Sequence, residues 1–179
     1  MVSWSEFAAA APRLSASIRG AIHQFGPGLA FLATLRPDGG PRLHPIAPTV
    51  TDTGLYCCLL DTPKRHDLEL DDRYALHAFP SDDSDDEACV RGRVRLVSDP
   101  RTIRRVAREL RAEPEVDWWL YELLIDTAIF VHRVPGADPV QVWTASGRVA
   151  HPQPDVVALG AHRLRDDADA HQHCENLAS

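Results

Sequence analysis

A hairpin signature constrains the fold of this chain more than any other feature of its sequence. Residues 29–35 form a continuous apolar stretch of strand length, and residues 41–46 follow after the turn sequence Arg36-Pro37-Asp38-Gly39-Gly40. The Asp-Gly pair supplies the positive φ that a tight turn between antiparallel strands requires. The two segments are therefore predicted to pair as a hairpin.

Further segments of strand length alternate with only a few helical ones. Strands are predicted at residues 47–50, 55–60, 74–79, 88–97, 118–125, 128–134 and 140–143. Helical spacing of apolar residues occurs at residues 5–25, 63–71 and 102–112, and Pro12 leaves one helix or two short helices open in the first of these. A doubly wound sheet needs a crossover helix after nearly every strand, so this order favours an antiparallel barrel or an α+β domain.

Size and composition predict one domain of ordinary soluble type. A chain of 179 residues with 44% hydrophobic content can bury one substantial core, which we place at residues 1–150. The polar composition of residues 151–179 is compatible with a loosely ordered tail. The net charge of −7 argues against a nucleic-acid partner, and the absence of a long apolar run argues against a membrane partner.

The four cysteines indicate neither a disulfide framework nor a zinc site. Cys57 and Cys58 are adjacent, so in a strand they point to opposite faces, and Cys89 and Cys174 lie far apart without metal-ligand spacing. Free thiols are typical of a reducing compartment. Together with the lack of a signal-peptide pattern at the start, this predicts a cytoplasmic protein.

Four segments in order carry a resemblance to a known family. They read LATLRPDGGPRLHPI, LYCCLLDTPKRHDL, DDRYALH and EACVRGRV, between Leu29 and Asp99. This arrangement resembles the pyridoxamine 5′-phosphate oxidase-like flavin-binding family. The resemblance implies a mainly β fold with peripheral helices, namely a six-stranded antiparallel split β-barrel that binds FMN. It also implies a homodimer with the cofactor between the subunits.

The segment Thr62-Pro63-Lys64-Arg65 resembles the part of that family which holds the cofactor phosphate. A helix N-terminus that carries a hydroxyl and a cation is also a good anion site on physical grounds. Thr62, Lys64 and Arg65 are therefore predicted phosphate ligands, with Lys64 the leading one. The alternative is that Lys64 and Arg65 are solvated helix charges.

The resemblance assigns further cofactor contacts along the strands. His44 is a candidate for contact with the flavin ring or phosphate, although a locally hydrogen-bonded strand histidine is an equal alternative. Glu87 stands where the oxidase has a glutamine near the flavin, and Trp143 falls near an aromatic segment that approaches the partner's cofactor. The other implied contacts are Pro45, Ile46, Ala47, Pro48, Thr49, Cys57 and Cys58.

These residues predict a flavin (FMN)-dependent oxidoreductase that transfers a hydride to a small organic acceptor. Thr49 stands where the vitamin-forming oxidase has a substrate-contacting lysine, so that particular reaction is not expected, and no catalytic side chain is assigned. Two alternatives stay open. One is a deazaflavin-dependent reductase, and the other is a non-catalytic flavin- or heme-binding module with His44, His66 or His77 as axial ligand.

Overall fold

The computed structural model describes residues 1–26, 28–112, 116–133 and 140–147. Within them four helices surround one eight-stranded sheet. The helices are α1 (Trp4–Ala10), α2 (Pro12–His23), α3 (Pro63–Leu70) and α4 (Pro100–Leu110). The strands are β1 (Ala30–Leu35), β2 (Pro41–Ile46), β3 (Thr49–Val50), β4 (Leu55–Leu59), β5 (Arg73–Ala78), β6 (Glu87–Leu96), β7 (Trp119–Val131) and β8 (Val140–Thr144). The predicted tail at residues 151–179 lies outside the described residues.

The order of the strands shows how the sheet curls. It runs β2-β1-β5-β6-β7-β4-β3, with β8 added to β7, and the described strand pairs are antiparallel. β2 and β3 lie at opposite ends of this order, yet only Ala47 and Pro48 separate them in the sequence. Such a link spans only about 10 Å, so the two ends of the sheet must approach each other.

The predicted split β-barrel class is therefore confirmed, although the strand count differs. The described residues contain eight strands rather than six, and one of them, β3, has only two residues. The first hairpin is as predicted, since Leu35 pairs with Pro41 and Gly39 has a φ of 81°. The N-terminal segment forms two helices because Ala11 leaves the helical conformation immediately before Pro12.

A single long strand replaces two of the predicted strands. The sequence pattern separates residues 118–125 from 128–134, but β7 runs from Trp119 to Val131 with a bulge at Asp126. Gly92 of β6 pairs with Ile125 beside this bulge. A Cβ at Gly92 would lie 2.0 Å from the carbonyl oxygen of Leu124, so the two strands can pack this closely only because residue 92 is glycine.

Replacing Gly92 with alanine should destabilise the protein by about 1–3 kcal/mol, because the added methyl group collides with backbone rather than with a flexible side chain. Urea unfolding followed by circular dichroism would measure the loss. Gly20→Ala is the matched control, since a Cβ there meets no atom within 4 Å and helix α2 should gain stability. Equal stability of the two variants would contradict the close approach of the two strands.

The two adjacent cysteines of β4 lie on opposite faces, as the strand alternation predicted. Cys57 is fully buried in the main core inside the barrel, whereas Cys58 packs against a second cluster of Tyr56, Val106 and Leu120 beneath α4. Cys57, Cys58 and Cys89 are free thiols, and Cys174 lies outside the described residues. None of the helices in the described ranges has the length and apolar character required to cross a membrane.

Candidate functional site

The seam between the two ends of the sheet, β2 on one side and β4 with β3 on the other, carries the candidate site. Three residues separate the end of β4 from helix α3, which packs against β1. The charge of Lys64, in the first turn of α3, acts on both the His44 imidazole of β2 and the Cys57 thiol of β4. Lys64 is therefore within electrostatic range of both edges of the seam.

Lys64 is the only lysine in the sequence and is half-buried. Among the described residues it has no ion-pair partner. The first turn of α3 has no side-chain cap. The Thr62 hydroxyl donates a hydrogen bond to the carbonyl oxygen of Leu60 (3.1 Å). The Thr62 carbonyl oxygen accepts from the Arg65 amide (2.9 Å), so only the backbone of Thr62 closes the first turn.

Arg65, the third predicted phosphate ligand, already contacts a carboxylate before α3, a carboxylate within α3 and a tryptophan of β7. Its guanidinium donates to Asp61 (2.8 Å) and Glu69, and it lies 4.2 Å from the centre of the Trp119 ring. Only 11% of the side chain is exposed. Since two carboxylates neutralise Arg65, its role in this structure is to fix the first turn of α3, and Lys64 remains as the available cation.

A buried ion pair that the sequence did not predict anchors α3 to the sheet. Asp67 of α3 accepts hydrogen bonds from Arg42 of β2 (2.6 Å) and from the Thr34 hydroxyl of β1 (2.8 Å). The Asp67 side chain is 4% exposed. The sequence signals were weak, namely a carboxylate beside the buried Leu68 and an arginine two residues before His44. Arg42 lies two residues from His44, and Asp67 lies three residues from Lys64. The ion pair therefore fixes the position of Lys64 relative to His44.

His44 faces the same side of β2 as Arg42 and pairs across the hairpin with Leu32. Its Nε2 is shielded from solvent and has no hydrogen-bond partner within the described part of the chain. Burial lowers the pKa of His44, the charges of Lys64 and Arg42 lower it further, and Asp67 opposes them. The imidazole is therefore neutral at physiological pH, with one nitrogen unsatisfied.

The remaining predicted contacts, on β2, β3 and β4 and in the link between β2 and β3, differ in how far they are exposed to solvent. Pro45 and Ala47 are exposed, whereas Ile46, Pro48 and Thr49 are buried. Residues 47–49 border a cavity of about 470 Å³ together with the C-terminal ends of α2 and α4. Burial raises the pKa of Cys57 to about 12 and that of Cys58 to about 11, so both remain protonated thiols.

Two predicted contacts lie away from Lys64 within one chain. Glu87 begins β6, at the end opposite Leu96, and ten residues of strand span about 30 Å. It pairs with Arg133 (2.6 Å) at the rim of a cavity of about 650 Å³. Trp143 of β8 packs against Phe7, with ring centres 4.8 Å apart. Glu87 and Trp143 therefore do not reach the seam of their own chain.

Comparisons with solved structures confirm the fold. General stress protein 26 from Bacillus anthracis str. Sterne matches with a TM-score of 0.53 and 19% identity, over 72% of this chain and 96% of that one. A protein of the pyridoxinephosphate oxidase family from Clostridium acetobutylicum, related to general stress protein 26, matches with a TM-score of 0.53 and 10% identity, over 79% and 96%. A heme binding protein from Mycobacterium smegmatis matches with a TM-score of 0.53 and 16% identity, over 72% and 57%.

No protein-family model and no functionally curated protein matches the sequence. The structural likenesses nevertheless agree with the resemblance read from the four sequence segments: this chain has the split β-barrel fold of the pyridoxamine 5′-phosphate oxidase-like proteins. Proteins with this fold include both a pyridoxinephosphate oxidase family member and a heme binding protein. The fold by itself therefore leaves the cofactor open.

Proposed function

We propose that this split-barrel chain binds FMN in the seam and works as an FMN-dependent oxidoreductase that passes a hydride to a small organic acceptor. The observation that carries the proposal is Lys64. It is a cation without an ion-pair partner among the described residues, placed at an uncapped helix N-terminus. A phosphate group is the ligand that a cation at the positive end of a helix favours.

The residues of the seam fit a phosphate monoester. Arg42 is neutralised by Asp67, and Arg65 is neutralised by Asp61 and Glu69, so neither offers a free charge. Lys64 would hold the phosphate through its ammonium group, helped by the positive end of α3. The unsatisfied Nε2 of His44 would gain a partner from a phosphate oxygen or from the flavin ring edge.

The chain's own contribution would be binding, orientation and exclusion of water. Bound FMN supplies the hydride chemistry. The buried side chains of Ile46, Pro48 and Thr49 give the seam a partly dry wall. Cys57 and Cys58 supply no thiolate at neutral pH, because burial raises their pKa values to about 12 and 11.

A homodimer belongs to the same proposal. The outward side chains of β2 are exposed, Leu43 to 63%, and the neighbouring Phe31 of β1 stacks on Phe79 at 5.1 Å between ring centres. An exposed apolar face of this kind favours association with a second copy. Glu87 and Trp143 would then contact the cofactor held by the partner rather than their own.

Removing the Lys64 ammonium should weaken FMN binding about 10- to 100-fold, equivalent to about 1.4–2.8 kcal/mol. Titration of wild type and Lys64→Ala with FMN, followed by flavin fluorescence, would measure this. Riboflavin, which lacks the phosphate, should bind both proteins equally. Arg13→Ala removes an exposed cation from α2 and should leave the FMN affinity unchanged. Equal FMN affinities of Lys64→Ala and wild type would overturn the phosphate site.

Because Lys64 is the only lysine, the same site can be tested by protection from amine acylation. FMN should slow acylation of the Lys64 side chain, measured by mass spectrometry, whereas the acylation of the N-terminal amine serves as internal control. Unchanged Lys64 labelling at saturating FMN would show that the flavin binds elsewhere.

A heme-binding module is the second candidate, since the unpartnered Nε2 of His44 is also a suitable iron ligand and a heme binding protein shares the fold. Parallel titrations with hemin and with the deazaflavin coenzyme separate these possibilities. Saturation by hemin alone, with a Soret band that changes in His44→Ala, would favour the heme module. Saturation by the deazaflavin alone would keep the hydride-transfer reaction and change the cofactor.

A further inference from the structure

The proposed seam has an imbalance of charge. A phosphate monoester carries nearly two negative charges above its second pKa of about 6. Of the cations on β2 and α3, Arg42 and Arg65 are already paired with carboxylates, so Lys64 is the cation of these two elements that has no ion-pair partner among the described residues. A partly buried dianion held by one positive charge would be only half neutralised.

His44 is the group that can supply the second charge. It lies on the same face of β2 as Arg42, within the electrostatic reach of Lys64, and its Nε2 is enclosed without a hydrogen-bond partner in the described part of the chain. An enclosed polar atom without a partner destabilises the free protein, and a ligand that supplies the partner would recover that loss. A phosphate oxygen beside Lys64 would do so.

We propose that His44 takes up a proton when a phosphate group enters the seam, and so becomes a second positively charged ligand of that phosphate beside Lys64. This inference rests on the proposed phosphate site and adds proton coupling to it. Phosphate binding would then depend on pH through a residue of the protein as well as through the phosphate itself.

The charged groups around His44 fix the direction of the effect. Lys64 of α3 and Arg42 of β2 oppose its protonation, Asp67 of α3 favours it, and Leu32 on the neighbouring β1 carries no charge. In the free protein burial and the two cations keep the pKa of His44 below its ordinary value. A nearby dianion reverses the local potential and raises that pKa. Binding therefore takes up protons, and the advantage that His44 gives is lost as the pH rises.

The test is a histidine titration by NMR on the full-length protein, without ligand, with inorganic phosphate and with FMN. The His44 signal is assigned by its absence from His44→Gln. Its pKa should rise by about one unit or more on addition of either phosphate compound. His66 is the matched control, because it lies on α3 near Lys64 but is exposed and pairs with Asp61. Its chemical shifts at a fixed pH should respond much less to either ligand.

Affinity measurements give an independent readout. The ratio of wild-type to His44→Gln affinity for FMN should fall as the pH is raised from slightly acidic to slightly alkaline, since the ionisation of the phosphate itself cancels in this ratio. A purely structural role of His44 would lower the affinity of the variant equally at each pH.

The outcomes separate this inference from the proposed function. If FMN binds in a Lys64-dependent manner while the His44 pKa stays unchanged with both ligands, the proton coupling is wrong and the FMN site stands. If inorganic phosphate raises the His44 pKa but FMN does not bind, the proton-coupled anion site stands and the FMN function is overturned. A ligand response of the His66 signal with none at His44 would also overturn the inference.

Discussion

Asp67→Ala is expected to lower the free energy of unfolding by about 3 kcal/mol. The Asp67 carboxylate is 4% exposed and accepts from Arg42 and Thr34, so its removal leaves both donors without their acceptor. Breaking a buried ion pair typically costs about 3–5 kcal/mol, and the lower end applies because the Arg42 side chain is 28% exposed. Urea unfolding followed by circular dichroism measures the change.

The control for Asp67 is another aspartate that pairs with an arginine in solvent. Asp52 is 99% exposed and lies 3.8 Å from Arg19, so Asp52→Ala should cost well under about 1 kcal/mol. A double variant, Asp67→Leu with Arg42→Met, should recover much of the lost stability, because it leaves no buried charge without a partner. If Asp67→Ala is no less stable than Asp52→Ala, the buried ion pair does not anchor α3.

The same substitution should also affect the phosphate site. Asp67 and Lys64 lie three residues apart on α3, so loss of the anchor loosens the turn that presents the Lys64 ammonium. In Asp67→Ala the freed Arg42 charge acts in the opposite direction, so the loss of FMN affinity is tested in the apolar double variant, which removes the anchor without freeing a cation. In the apolar double variant, stability and FMN affinity are expected to recover to different extents, since packing alone does not restore the orientation of the turn.

Phe7→Ala should be the most destabilising single truncation among the N-terminal helices, at about 3–5 kcal/mol. Phe7 is fully buried, contacts Trp4 edge-on at 5.4 Å between ring centres, and packs on Trp143 at 4.8 Å. The truncation leaves a cavity between α1 and β8, where the Phe7 and Trp143 rings pack on each other. Thermal and urea unfolding would both report the loss.

Phe25→Ala is the matched control for that truncation. Phe25 is 47% exposed and touches Phe79 edge-on at 6.0 Å, so its removal should cost less than about 1 kcal/mol. Similar stabilities of the two variants would mean that α1 does not dock on β8 in solution, and the placement of Trp143 would then be wrong as well.

Local sequence signals account well for the elements of this fold. The Asp-Gly turn places Gly39 at a positive φ, and Pro12 separates α1 from α2. Ser3 caps α1 by accepting a hydrogen bond from the Glu6 amide, three residues away. Each of these outcomes depends on residues within about four positions of one another, so the sequence alone is sufficient to predict them.

The candidate site could be predicted only in part, for the same reason. The position of Lys64 at the start of a helix follows from the neighbouring Thr62 and Pro63. The neutralisation of Arg65 by Asp61 and Glu69, four residues before and after it, follows a local pattern that the sequence analysis did not use. The contact of Arg65 with Trp119 of β7 depends on tertiary packing, and the hydrogen bond from Thr62 to Leu60 depends on the conformation of the loop.

The sequence by itself determined the order of helices and strands, the antiparallel hairpin, the opposite directions of Cys57 and Cys58, and the helix start that carries Lys64. Only the tertiary structure decided that Arg42 pairs with Asp67, that His44 lies beside Lys64, and that Glu87 and Trp143 lie away from both. The reason is physical. Turn and helix preferences act between near neighbours, whereas these contacts join residues about 20 or more positions apart, through the strand register and the closure of the sheet into a barrel.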